Sequence, residues 1–129
     1  MVYEAKSGHI GGSFSLAELC AYLYSNYDLI NPNNPDSDVI ILSKGHGVPI
    51  IYASLNLLGI ISEEELKSFR QIDSKLQGHP HYLDIPELHA STGSLGQGLS
   101  IAIGRAIAKK KNNSKGKVFC ILGDGEMQE

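Results

Sequence analysis

Three of the five histidines stand directly after a glycine, at Gly8-His9, Gly45-His46 and Gly78-His79. With 14 glycines and 5 histidines in the chain, random order gives roughly half of one such pair. An imidazole holds or moves a proton near neutral pH, and a glycine before it removes a side chain that would crowd a ligand. For any single pair, loop punctuation beside an ordinary polar histidine explains the sequence equally well. All three together favour imidazoles that share a ligand.

Gly123-Asp124-Gly125 follows an apolar run directly. In an open α/β sheet, ligands bind at the carboxyl ends of the strands. A carboxylate there suits a hard divalent cation such as Mg²⁺, which takes oxygen ligands and keeps water or phosphate oxygens in its shell. The same tripeptide is common in tight turns, and it is the preceding strand that strengthens the functional reading. Upstream, Thr92-Gly93-Ser94-Leu95-Gly96-Gln97-Gly98 leads into a helical pattern. Its spacing does not meet G-x-G-x-x-G and no clear strand precedes it, so the dinucleotide fingerprint fails. A polar cofactor received at the helix start and close packing through Gly96 and Gly98 both remain open. A zinc hydrolase built on the histidines lacks the close ligand pairs, such as H-x-x-x-H, that such sites use.

The elements that must position these residues alternate. Ser15-Leu16-Ala17-Glu18 is a capping-box pattern, and Leu19, Tyr22, Leu23 and Asn26 continue a helical face, which predicts a helix over 16–27. Prolines at 32 and 35 then impose a loop. Residues 39–42 are apolar throughout, as in a strand covered on both faces. A helix is predicted over 47–58, with Pro49 in its first turn and Gly59 ending it. A second capping box, Ser62 to Glu65, opens a short helix reaching about residue 70. Residues 71–87 have no sustained period, and so long a loop is often functional. A helix over 94–111 carries Leu95, Leu99, Ile103, Ala106 and Ile107 on one side and ends in Lys109-Lys110-Lys111, where cations meet the negative end of the macrodipole. Residues 118–122 read as a second buried strand.

The pattern is α/β, a parallel sheet flanked by helices, over a single partial domain spanning 1–129. Two strands cannot shield both edges and both faces of such a sheet. The reading is therefore of a sheet completed by further chain or by a partner. Hydrophobic residues make up 42% of the chain, enough for a core. The net charge of −3 and the lone lysine cluster argue against nucleic acid, and no apolar run approaches the roughly 18 residues of a membrane span. The first residues contain no apolar leader block, which points to the cytoplasm. Cys20 and Cys120 read as buried thiols.

In order along the chain, Ser7-Gly8-His9-Ile10-Gly11-Gly12, Leu42-Ser43-Lys44-Gly45-His46, Gln77-Gly78-His79-Pro80, Ser91-Thr92-Gly93-Ser94-Leu95-Gly96-Gln97-Gly98 and Gly123-Asp124-Gly125-Glu126-Met127-Gln128-Glu129 resemble the successive landmarks of transketolases. The likeness is nearest to N-terminal subunits of transketolases split into two polypeptides. The resemblance implies a thiamine-diphosphate-binding fold of the diphosphate-side type. It implies transfer of a two-carbon ketol unit between sugar phosphates, as in the pentose phosphate pathway, with thiamine diphosphate and Mg²⁺ or another divalent cation. On the matching positions, Asp124 would ligate the metal and Gly125 would contact the diphosphate. Gly93, Ser94 and Leu95 would lie against the cofactor, and Glu129 would reach toward the activating carboxylate across an interface. His9, His46 and His79 would line the substrate channel.

The family's second metal ligand, an asparagine, and its pyrimidine-binding domain have no counterpart in these residues. The expectation is a chain cut at both ends, inactive alone, working in a homo- or hetero-oligomer with a pyrimidine-binding domain or C-terminal subunit. A deoxyxylulose-phosphate synthase shares several of these motifs, although the Gln77-Gly78-His79-Pro80 and Leu95-Gly96-Gln97-Gly98 forms favour transketolase. A non-catalytic binding module is the remaining alternative.

Overall fold

The computed structural model describes residues 1–129. Two helical turns, α1 (Val2–Ala5) and α2 (Gly11–Phe14), precede α3 (Ala17–Asn26). Strand β1 (Val39–Leu42) follows, then α4 (Val48–Leu57), α5 (Glu63–Lys67), α6 (Gln97–Lys111) and β2 (Val118–Ile121). The strands pair in parallel, with Val39 opposite Val118 and Leu42 opposite Ile121. Their carboxyl ends therefore emerge side by side.

Alternation along β1 explains its uniformly apolar sequence. Ile40 and Leu42 point into the main core with Leu16, Cys20 and Leu23 around α3 and Val48, Ile51, Tyr52 and Leu55 of α4. Val39 and Ile41 point the other way, against Ala90 and the α6 residue Ala102. A strand buried on both faces has no polar alternation to show. Its outer edge is also covered: the Ile40 N–H donates to His89 Nδ1 at 3.5 Å, and Thr92 Oγ1 donates to the Leu42 carbonyl at 2.6 Å. The segment around residues 89–92 thus occupies an edge that would otherwise be open to pairing.

Local signals are obeyed where nothing competes. Ser62 and Glu65 form the reciprocal capping box of α5, and Gly59 takes the left-handed conformation, φ 77°, that ends α4. The expected box at Ser15 does not form. The chain arrives there already helical from α2, so the Ser15 hydroxyl donates back to the Gly12 carbonyl at 3.0 Å, and α3 begins at Ala17 without a side-chain cap.

Two further expectations are corrected. Strand β2 ends at Ile121, and of its residues only Ile121 is buried; Val118, Phe119 and Cys120 are half-buried, because β1 is the one strand beside it. Cys120 is accordingly half-buried, unlike the fully buried Cys20. Helix α6 begins at Gln97 rather than residue 94, since Gly96 is left-handed at φ 80°. It packs on the sheet through Gly98 and Ala102. A Cβ on Gly98 would overlap Ser43, so the helix reaches the sheet there with no side chain between. The apolar stripe Leu99, Ile103 and Ile107 faces outward, 44%, 52% and 62% exposed. No helix is long and apolar enough to cross a membrane.

Candidate functional site

Because the sheet is parallel, Ser43 after β1 and Gly123 after β2 lie at the same end, and the Ser43 N–H donates to the Ile121 carbonyl at 2.9 Å. Beyond Gly123 the chain turns through Gly125–Gln128 as a 3-10 helix. This turn folds the Glu126 side chain inward, leaving it 5% exposed. Its carboxylate accepts from Ser43 Oγ at 2.5 Å, from the Gly96 N–H at 3.0 Å and from the Gly123 N–H at 3.0 Å. Burial alone would raise its pKa; the hydrogen bonds from Ser43, Gly123 and Gly96, with His46 nearby, outweigh it and hold the group below the usual carboxylate range. Glu126 is therefore a three-way clip joining the end of β1, the turn after β2 and the start of α6.

That clip leaves Asp124 to face outward. Asp124 is exposed at the first position of the turn, and its side chain makes no hydrogen bond or ion pair within the chain. Gly125 is exposed too, with open space where a Cβ would stand. Glu129 passes the start of α6, its Cβ 3.1 Å from the position a Gly96 Cβ would take. Ser94 and Leu95 lie exposed in the turn before α6. Gly93, at φ 154°, is packed between two glycine-histidine segments: a Cβ there would stand 3.2 Å from the His79 ring, and a Cβ on Gly45 would stand 3.0 Å from Gly93 Cα. Any larger residue at 45 or 93 would push these segments apart.

His9 precedes α2, and its ring meets that of His46 edge-on with centroids 5.3 Å apart. His46 sits in the Gly45–Gly47 turn, its ring 3.4 Å from where a Gly12 Cβ would be. His79 follows Gly78, which is pressed against the Arg70 guanidinium, and Arg70 in turn donates to Ser7 Oγ at 2.9 Å. Desolvation lowers the His46 pKa, assisted by His9, Lys44 and His79, against a raising influence from Glu126. Desolvation also lowers that of His79, assisted by Arg70 and His9. Both shifts favour the neutral form, and a neutral ring at position 46 or 79 can both donate and accept a proton.

Ser43, Glu126 and Arg70 join the site without having been singled out by sequence reasoning. Glu126 has one signal, its place directly after Gly-Asp-Gly. Ser43 stands inside the Leu42-to-His46 motif, but its role, like that of Arg70, depends on a distant partner, 83 and 63 residues away respectively. No group of three or more His, Cys, Asp or Glu side chains is gathered in the chain.

The sequence profile described as "Transketolase, thiamine diphosphate binding domain" matches residues 1–129. One of the subunits of the apulose-4-phosphate transketolase of Actinobacillus succinogenes is 42% identical over 95% of the chain, which spans 45% of that protein. Transketolase 1 of Pasteurella multocida is 42% identical over 99% of the chain and 21% of that protein. Among solved structures, transketolase from Campylobacter jejuni superposes with a TM-score of 0.91 at 37% identity, and that from Leishmania mexicana with 0.90 at 33%. Those matches cover 99% of this chain but 22% and 21% of the two structures. The chain spans less than half the length of these relatives, and it belongs to the transketolase family as part of the thiamine diphosphate-binding domain.

Proposed function

We propose that this chain forms the diphosphate and metal side of a transketolase active site that passes a two-carbon ketol unit from a ketose phosphate to an aldose phosphate. The observation that carries the reading is the juxtaposition at the sheet's carboxyl end. The free Asp124 carboxylate and the open Gly125 stand beside the Gly93–Gly96 turn, which in turn packs against His79.

These residues fit a metal-bound diphosphate. A hard cation requires oxygen donors, and Asp124 supplies one that no other group in the chain engages. A diphosphate requires close backbone approach, which Gly125 allows because nothing occupies the space of its missing Cβ. Thiamine diphosphate, when bound, supplies the carbanion-stabilising chemistry that the side chains lack. The chain's own part is to hold and orient. Asp124 would anchor the cation; Gly93, Ser94, Leu95 and Glu129 would border the cofactor; Glu126 keeps the turn and the α6 start in register. His9, His46 and His79 would donate to substrate oxygens and carry protons to and from them.

A cation bound through one carboxylate must draw the rest of its near-octahedral shell from elsewhere. The outward stripe of Leu99, Ile103 and Ile107 also leaves apolar surface for another element to cover. Both features support a partner pyrimidine-binding domain or C-terminal subunit, in an oligomer of like or unlike chains. The test is to titrate the protein with thiamine diphosphate and Mg²⁺ and to assay a ketose–aldose phosphate pair, with and without a C-terminal transketolase subunit. Saturable cofactor binding, and turnover that needs the partner and falls in His79→Ala, are expected. Turnover indifferent to cofactor, or cofactor binding unchanged in Asp124→Asn, would overturn the assignment.

A further inference from the structure

At the other end of the sheet, beside the start of β1, lies a cavity of about 190 Å³, whose lining includes Ser37, Val39, Tyr82, His89, Arg105 and Lys109 and no acidic side chain. His89 is 3% exposed and left-handed at φ 61°. Burial, reinforced by Arg105 and Lys109, pushes its pKa down to about 4, so the ring is neutral at neutral pH. Its Nδ1 accepts the Ile40 N–H. The ring proton therefore belongs on Nε2, and Nε2 is buried without a partner. Buried donors are almost always satisfied, and this one calls for an acceptor.

The surroundings define the acceptor's charge. Arg105 commits one N–H to the His89 carbonyl at 2.8 Å and stands 6.0 Å over the Tyr82 ring, with its other donors unengaged. Lys109 is fixed by the carbonyls of Pro35 and Ser37, at 2.8 and 2.7 Å, and by Ser114 Oγ at 3.4 Å, so it contributes field more than free donors. The nearby carboxylates are already used: Asp36 by the Lys115 N–H, Asp38 by the Asp28 and Lys117 N–H groups, and Asp28 by Asn31. Arginine donors, a histidine N–H and a fixed ammonium with no acid in the wall match an oxyanion.

We propose that this cavity binds an oxyanion, with His89 Nε2–H and Arg105 donating to one phosphate or carboxylate group and Lys109 balancing its charge. The Arg105 residue is exposed, and an anion that reaches the shielded Nε2 does so past its guanidinium, which shares its contact to the His89 carbonyl with the incoming oxygens. The site lies at the opposite ends of the strands from Asp124, and its existence does not depend on the catalytic reading.

Inorganic phosphate and, separately, acetate are titrated into the protein at constant ionic strength while the His89 imidazole is followed by long-range ¹H–¹⁵N NMR. A saturable shift of the His89 nitrogens is expected, with the effective anion identifying phosphate or carboxylate. Its apparent Kd should rise at least tenfold in Arg105→Gln, in a variant whose circular dichroism and unfolding midpoint match those of the parent, and stay unchanged in Asp124→Asn. No saturable shift with either anion, an equal response in Arg105→Gln, or loss in Asp124→Asn would overturn the proposal. The last of these would place the anion at the Gly-Asp-Gly turn instead.

Discussion

Ser43 and Glu126, 83 residues apart in the chain, share a 2.5 Å hydrogen bond that ties the end of β1 to the turn after β2. Glu126→Ala would strand the Ser43 hydroxyl and the Gly96 and Gly123 N–H groups together. Since each unsatisfied buried donor costs about 1–3 kcal/mol and some regain water on relaxation, a total loss of about 2–4 kcal/mol is expected in urea denaturation. Glu126→Gln keeps one acceptor oxygen and should lose less. A loss below about 0.5 kcal/mol in Glu126→Ala would show that the clip is dispensable.

The division of labour between the two acids gives a separate expectation. Asp124 faces outward with nothing engaging its side chain, whereas Glu126 is consumed by three donors. Asp124→Asn should weaken Mg²⁺-dependent thiamine diphosphate binding at least tenfold by calorimetry with little change in stability. Glu126→Gln should retain the Mg²⁺ dependence. The reverse pattern would assign the metal to Glu126.

His46 titrates under the influence of its neighbours. His46 is depressed first by burial and then by His9, so His9→Ala should raise its pKa without restoring the free value. NMR titration of the imidazole carbons measures this directly. In turnover, the proton-accepting form of His46 should persist below pH 6.5, placing the acid limb of the rate profile lower than a free imidazole would.

His89 makes stability depend on pH. Its folded pKa of about 4 lies below the usual 6.5, so between these values the unfolded chain binds a proton that the folded chain refuses. Its contribution is complete above pH 6.5 and is lost as pH falls toward 4. The shift corresponds to about 3 kcal/mol at full value. Denaturation midpoints from pH 7 to pH 4 should trace this loss, and His89→Gln should flatten the slope across that window.

Ile103→Lys tests the outward face of α6. Ile103 is 52% exposed, so this chain's own stability should change by less than about 0.5 kcal/mol. Binding of a C-terminal subunit, measured by sedimentation, should weaken at least tenfold if that face is the contact. Unaltered assembly would place the partner elsewhere.

The sequence by itself determined what local chemistry controls. The capping box at Ser62, the stop at Gly59, the doubly covered strand Val39–Leu42 and the motif order that marks the transketolase family all depend on neighbours within a few residues, or on residue types alone. What tertiary structure decided are matters of orientation and partnership. Periodicity put Leu99, Ile103 and Ile107 on one side of α6 but carried no sign for inward or outward, and the glycine and alanine of the opposite side took the sheet because close approach there needs no side chain. Ser15 lost its capping role because the residues before it were already helical. Glu126 and His89 read as ordinary polar residues until folding buried them. Only then did desolvation make their hydrogen bonds obligatory, one with three donors from three segments and one with a donor still unmatched.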